Sequence, residues 1–247
     1  MTGKILFFTI LFVVCGVLQS KISSKIKVCK RSDPQLSECI INSINDLRPS
    51  LATGDLGDGI NAPPLEPFSI ENLDVGQNSD FQITMKNLSI RGPSTFKIDK
   101  FRANINDLKF DLIITLPKLN IKGQYILNLR LFNTPLRSNG DILLKLEDYR
   151  AKINMKGIKY LRGTNEHMKF ERFNLKIHQG KVKLFKLTNL FNGQKNLEEA
   201  ANSIFLENSE FVLSNVYPSL EARLGELFTD IANNITADAT FDELFPN

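Results

Sequence analysis

Cys29 and Cys39, His167 and His178, and the triplets Asn87-Leu88-Ser89 and Asn234-Ile235-Thr236 are the residues whose types and spacing first suggest chemistry. Cys15 falls in an apolar leader and leaves with it. The remaining even pair of cysteines closes most simply as one disulfide, around a loop of about ten residues, in an oxidising compartment. Such a loop contributes about 2–4 kcal/mol by restricting the unfolded chain. It pins the N-terminus without defining the fold. A zinc site needs further nitrogen or sulfur ligands close by, and both histidines lie far along the chain, so no metal is expected. His167, between Glu166 and Met168-Lys169, reads as a solvated turn residue. His178 sits on the strand face opposite Phe173, Leu175 and Ile177, which also points it to solvent. There is no Gly-x-Ser-x-Gly elbow, phosphate loop or His-Glu-x-x-His pattern, and Glu147-Asp148 has no partner that sequence can bring to it. Neither an enzyme nor a cofactor is expected. Asn87 and Asn234 are candidate N-glycosylation sites if the chain is exported, and otherwise plain polar residues.

The leader decides the compartment. Lys4 precedes a run from Ile5 to Leu18 that carries no charge, and Gln19-Ser20-Lys21 ends it. That is the pattern of a signal peptide over residues 1–20, too short to span a bilayer as a helix. Residues 21–247 are expected to form one secreted domain, a monomer without stable membrane insertion. The 31 basic and 27 acidic residues give a net charge of +4, which becomes +3 when Lys4 is removed. The charges are scattered, as in Lys97-Ile98-Asp99-Lys100, so no stripe is available to neutralise phosphates and no nucleic-acid partner is expected. Phe 18, Tyr 4 and Trp 0 describe an interior of rings with few hydrogen-bonding handles.

The elements that must position these residues follow from periodicity. Asp33-Pro34 followed by Leu36, Cys39, Ile40, Ile44 and Leu47 predicts a helix with one buried stripe, with Arg48-Pro49 near its end or at a break. A Gly- and Pro-rich connection then runs along the surface to Pro67. From Phe81 to about Leu187 the period is two. Leu108, Phe110, Leu112, Ile114 and Leu116 share one face, as do Tyr125, Leu127 and Leu129. Ile142, Leu144 and Leu146 follow, then Ala151, Ile153 and Met155. This predicts an antiparallel sheet with one apolar face, with Pro117, Gly123, Asn139-Gly140-Asp141 and Gln179-Gly180 supplying breaks and turns. Several strands look long enough to bend. From Asn196 the helical period returns through Leu197, Ala201, Ile204 and Phe205 to Tyr217, Leu220, Leu224, Leu227, Phe228 and Ile231. Glu199, Glu207, Glu221, Arg223 and Asp230 define a wet side. Pro218 begins a new helix or kinks a long one. The helix is expected to lie in the concavity of the sheet, giving an α+β unit.

Five stretches, in order, resemble the Takeout and haemolymph juvenile-hormone-binding proteins of insects. They are Cys29 to Cys39; Pro64-Leu65-Glu66-Pro67-Phe68-Ser69-Ile70; Phe81 to Gly92; Gly140-Asp141-Ile142; and the C-terminal helical region to Leu244-Phe245-Pro246. The resemblance implies a secreted carrier of small hydrophobic molecules. Its fold would be a long C-terminal helix wrapped by a strongly curved antiparallel sheet, with an internal hydrophobic tunnel. It names juvenile hormone and related terpenoids, and, for Takeout-like members, other lipids together with feeding, circadian and chemosensory roles. The hormone-binding branch carries a second disulfide, and no cysteine follows Cys39 here, so the chain is more similar to the Takeout branch. The receptor, if any, is unspecified.

The inward faces nominate Phe110, Leu112, Ile114, Leu127, Leu129, Phe205, Leu220, Leu224 and Phe228 as lining residues for a small hydrophobic ligand. The same positions would serve a solid core in a secreted structural or signalling protein, because periodicity does not separate a tunnel wall from packing.

Overall fold

The computed structural model describes residues 22–78, 81–131 and 134–247. The leader at residues 1–20 lies outside the described residues. Helix α1 (Leu36–Thr53) runs through Pro49 and stops at Gly54, which adopts the left-handed conformation that closes a helix. Cys29 and Cys39 are joined in a disulfide, with their Cα atoms 6.0 Å apart.

Eight antiparallel strands make the sheet: β1 (Phe68–Asn78), β2 (Phe81–Arg91), β3 (Lys97–Asn104), β4 (Lys109–Leu131), β5 (Thr134–Arg162), β6 (Asn165–Phe170), β7 (Asn174–His178) and β8 (Lys181–Leu187). Apolar alternation starts one strand earlier than the sequence reading had it, because Phe68, Ile70, Leu73 and Val75 are buried on β1. The β4–β5 hairpin is the spine. A straight strand of β4's 23 residues would reach roughly 75 Å, so strand twist must coil it. Pro117, Gly123 and Asn139-Gly140-Asp141, expected to break strands, instead lie inside β4 and β5. Between Leu116 and Leu119 on β4, and between Tyr149 and Leu146 on β5, the inward-facing parity switches. Pro117 has no N–H to donate there, and Asp148 has φ +55°. Five of the remaining strands pair along this ribbon, β3 and β2 on β4 and β8, β7 and β6 in turn on β5, while β1 pairs with β2.

Helices α2 (Lys195–Glu207), α3 (Ser209–Ser214) and α4 (Tyr217–Thr236) follow, and Pro218 stands in the first turn of α4, opening a new helix. The apolar side of α4 faces the concavity, as expected. What docks it is a polar stripe repeating every four residues. Glu221 accepts from Ile177 N at 2.8 Å and pairs with Lys176 at 2.7 Å. Thr229 Oγ1 accepts from Phe173 N at 2.8 Å, and Asn233 exchanges two hydrogen bonds with the backbone of Phe170. Gly225 completes the stripe, for a Cβ there would come within 2.6 Å of Phe173 O. These side chains satisfy backbone groups on β7 and beside it that would otherwise be unpaired. Glu221 is therefore buried and structural, not part of the wet side.

Helix α2 is fastened in the same manner, by Asn202 to Leu187 N and O, with Phe205 on Phe185. That orientation turns Leu197 and Ile204 outward, against the expected inward stripe; Ile204 is 58% exposed.

At the far end of the sheet, α5 (Phe241–Leu244) begins with a capping box between Thr240 and Glu243. It brings Phe241, Leu244 and Phe245 onto Leu108 and Met168. Arg31, inside the disulfide loop, clasps this segment. Its N and Nε donate to Pro246 O (2.8 Å) and Phe245 O (2.9 Å), its guanidinium pairs with Asp242, and it lies over the Phe241 ring.

His167 corrects the sequence reading. It is a β6 residue, 2% exposed, bridged to Thr240 and tilted against Tyr160. Residues 239–241 fold over what alternation alone would leave wet. His178 is exposed, as expected.

Candidate functional site

Between the apolar side of α4 and the concave sheet lies a cavity of about 460 Å³. Of the described residues bordering it, only Tyr149, Arg150 and Tyr217 bear side-chain nitrogen or oxygen atoms. Arg150 is largely exposed at its side chain, with its guanidinium 4.0 Å from Asp99, so its aliphatic stem is what remains for the wall.

Five of the nine nominated residues border this space: Leu112 and Ile114 from β4, and Leu220, Leu224 and Phe228 from α4. Phe110 does not. It sits among other rings, 5.8 Å from Phe170 and 6.1 Å from Phe245. Leu127 is buried in the core near the cavity without bordering it, and Phe205 stands behind Phe185, which does border it. The side chain of Leu129 lies outside the described residues. Leu227 packs against the core, and Leu108, at φ +51°, joins the cluster under α5.

Sequence reasoning passed over three contributions to the wall. Phe68 on β1 stacks 6.2 Å from Phe228, Ile44 arrives from α1, and Phe96 precedes β3. Alternation at Phe68 and Ile70 was the available signal for the first.

It also passed over a polar point in this apolar wall. Tyr217 Oη donates to Gln179 Oε1 at 2.9 Å and lies 3.5 Å from Tyr149 Oη. A phenol has one hydrogen to give; with that of Tyr217 on Gln179, the Tyr149 hydrogen is the one that can turn to Tyr217 Oη or to an oxygen placed in the cavity. Burial pushes both phenols above their ordinary pKa. Both therefore stay protonated donors at neutral pH.

Asn87 and Asn234 are exposed, on β2 and α4. Among the described residues no helix is long and apolar enough to cross a membrane, and no cluster of His, Cys, Asp and Glu is placed to hold a metal.

A curved antiparallel sheet closed by a helix over an apolar cavity defines the class: an α+β wrap around an internal hydrophobic space. The family model for haemolymph juvenile hormone binding protein (JHBP) matches residues 7–246, and the chain belongs to that family. The circadian clock-controlled protein daywake of Drosophila melanogaster is 24% identical over 194 residues, 73% of this chain and 74% of that protein. Daywake of Drosophila yakuba is 24% identical over 140 residues, 56% of this chain and 53% of that protein. The crystal structure of Takeout 1 from Epiphyas postvittana shares the fold, with a TM-score of 0.73 and 21% identity over 90% of this chain and 100% of that one.

Proposed function

We propose that residues 21–247 form a single secreted domain that encloses one elongated, mostly apolar small molecule and carries it through aqueous fluid without transforming it. The observation that carries this reading is the apolar cavity of about 460 Å³ under α4. Its size falls in the range of small-molecule sites, roughly 300–1,000 Å³. An apolar guest gains roughly 25 cal/mol for each Å² it removes from water. Tyr149 then orients the guest by donating to a carbonyl, ether or hydroxyl oxygen. A terpenoid of the juvenile-hormone kind, a fatty acid or a related lipid meets these demands. A signalling protein with a solid core has no use for such a void, which weighs against that alternative.

Leu112, Ile114, Leu220, Leu224 and Phe228 are proposed as ligand contacts. Export rests on the leader at residues 1–20 and is supported by the disulfide; Asn87 and Asn234 are proposed glycan sites and the carrier a monomer. Because daywake is described as circadian clock-controlled, daily variation in abundance belongs to the same reading, and a light–dark time course tests it.

The decisive experiment is native mass spectrometry with lipid extraction of protein secreted by its own tissue, followed by competition with juvenile hormone, fatty acids and terpenoids. A bound apolar molecule of one dominant mass is expected. Repeated recovery of empty protein that takes up none of these classes would overturn the carrier reading.

A further inference from the structure

Outside the cavity, on α1, Arg48 holds its guanidinium over the ring of Phe96, 4.7 Å from the centroid, and donates through one amine to Asn45 Oδ1. Its Nε is buried and has no acceptor. Among the described residues no carboxylate pairs with it. A charged donor withdrawn from water without a partner is costly, so an orphan of this kind calls for a reason. The geometry of a guanidinium matches that of a carboxylate, two donors to two oxygens.

Arg48 and Asn45 line a surface pocket of about 560 Å³ together with Pro49, Ala52 and Ser94. The chain neighbours of two of these, Ile44 and Pro93, border the apolar cavity, and so does Phe96. The two spaces share no lining residue, and the Phe96 ring is what links them, since it borders the cavity and carries the Arg48 guanidinium. Glu66, the carboxylate bound to Ser94, accepts from Ser94 Oγ at 3.0 Å, Ser94 N at 3.4 Å and Gly92 N at 2.7 Å, so its charge is already met by three donors.

We infer that Arg48 is a headgroup site: the carboxylate of a long-chain acid sits in the surface pocket and pairs with the Arg48 guanidinium, which has no carboxylate of its own, while its hydrocarbon tail passes Phe96 into the cavity. Asn45 and the face of Phe96 hold the guanidinium in place. The inference rests on the carrier reading and narrows the cargo to acid-terminated amphiphiles.

The test compares two ligands with the same tail, palmitate and methyl palmitate, each tritiated and bound to delipidated, disulfide-intact protein at pH 8. Wild-type protein is expected to bind the acid roughly tenfold or more tightly than the ester, the scale of a charge-assisted pair. Arg48→Met is expected to abolish that gap while leaving ester affinity unchanged, and Arg48→Lys, which keeps charge but not the fork, to retain part of it. Circular dichroism checks that the variants are folded, and the lysine variant carries the comparison if the methionine variant is not. Equal affinities in the wild type, or a gap that survives Arg48→Met, would overturn the headgroup site while the carrier reading stands. Binding of neither ligand would remove the carrier reading and the headgroup site together.

Discussion

At one end of the β4–β5 ribbon Phe110 is closed in by Phe170 and Phe245; a few residues along the same strand face, Leu112 and Ile114 look into a void. The two regions share a strand, an alternation and an apolar composition. They differ in what comes from far along the chain to cover them. Over Phe110, α5 presses aromatic rings into the gap. Over Ile114, α4 is tied to the sheet edge through Glu221, Thr229 and Asn233, so its polar stripe sets where it stands and its leucines border space instead of filling it. Alternation therefore decides which face is dry, and a remote element decides whether that face is packed.

The largest expected effect breaks the void side outright. Leu224→Asp puts an unpaired carboxylate into an apolar wall and should lower stability by roughly 3–5 kcal/mol, read from the urea midpoint at constant m-value. Next comes the packed side. Phe110→Ala should cost about 3–4 kcal/mol, because the surrounding rings cannot collapse fully into the hole, while the affinity for palmitate stays unchanged. If affinity falls in step with stability, the two regions are not separate. Ile114→Phe sharpens the contrast from the other direction. The added volume enters space that is already empty, so stability should move by less than about 1 kcal/mol, yet binding of tritiated palmitate, measured by equilibrium dialysis, should drop at least tenfold. The smallest effect serves as the control: His178→Ala, on an exposed strand face, should stay within about 0.5 kcal/mol of wild type in thermal unfolding.

Much of the scaffold was legible because sheets and helices write their dry faces into local spacing. Leu112, Leu144 and Ile153 could be placed on apolar faces from period two alone, and Leu220, Leu224 and Phe228 from the helical period. Strand ends were harder. Pro117 and Gly140 are ordinary stop signals, but in a ribbon this long the paired strand carries the register across them, and Gly140 is needed for the close approach of Thr188 O. Burial produced by distant residues was not legible at all. His167 is out of phase with Met168 and Phe170 and reads as wet until Thr240 arrives. Glu221 looks like one more solvated acid until the free N–H of Ile177 is placed beside it. The cavity was half legible: five nominated residues border it, while Phe110, Leu127 and Phe205 obey the same periodicity and are packed away from it.

The clasp between Arg31 and residues 242–246 also has a consequence for synthesis. Its partners lie 214 positions apart, so the loop that carries Arg31 leaves the ribosome long before the segment it holds. At about 5–20 residues per second, that interval is roughly 10–40 s. Once Phe110 and Phe170 have emerged they can meet each other, but Phe245 and the rest of the α5 segment that closes over them are still to come. Nascent chains stalled short of Asp242 would thus present one defined greasy patch, and that patch is where a holding chaperone should be found by crosslinking.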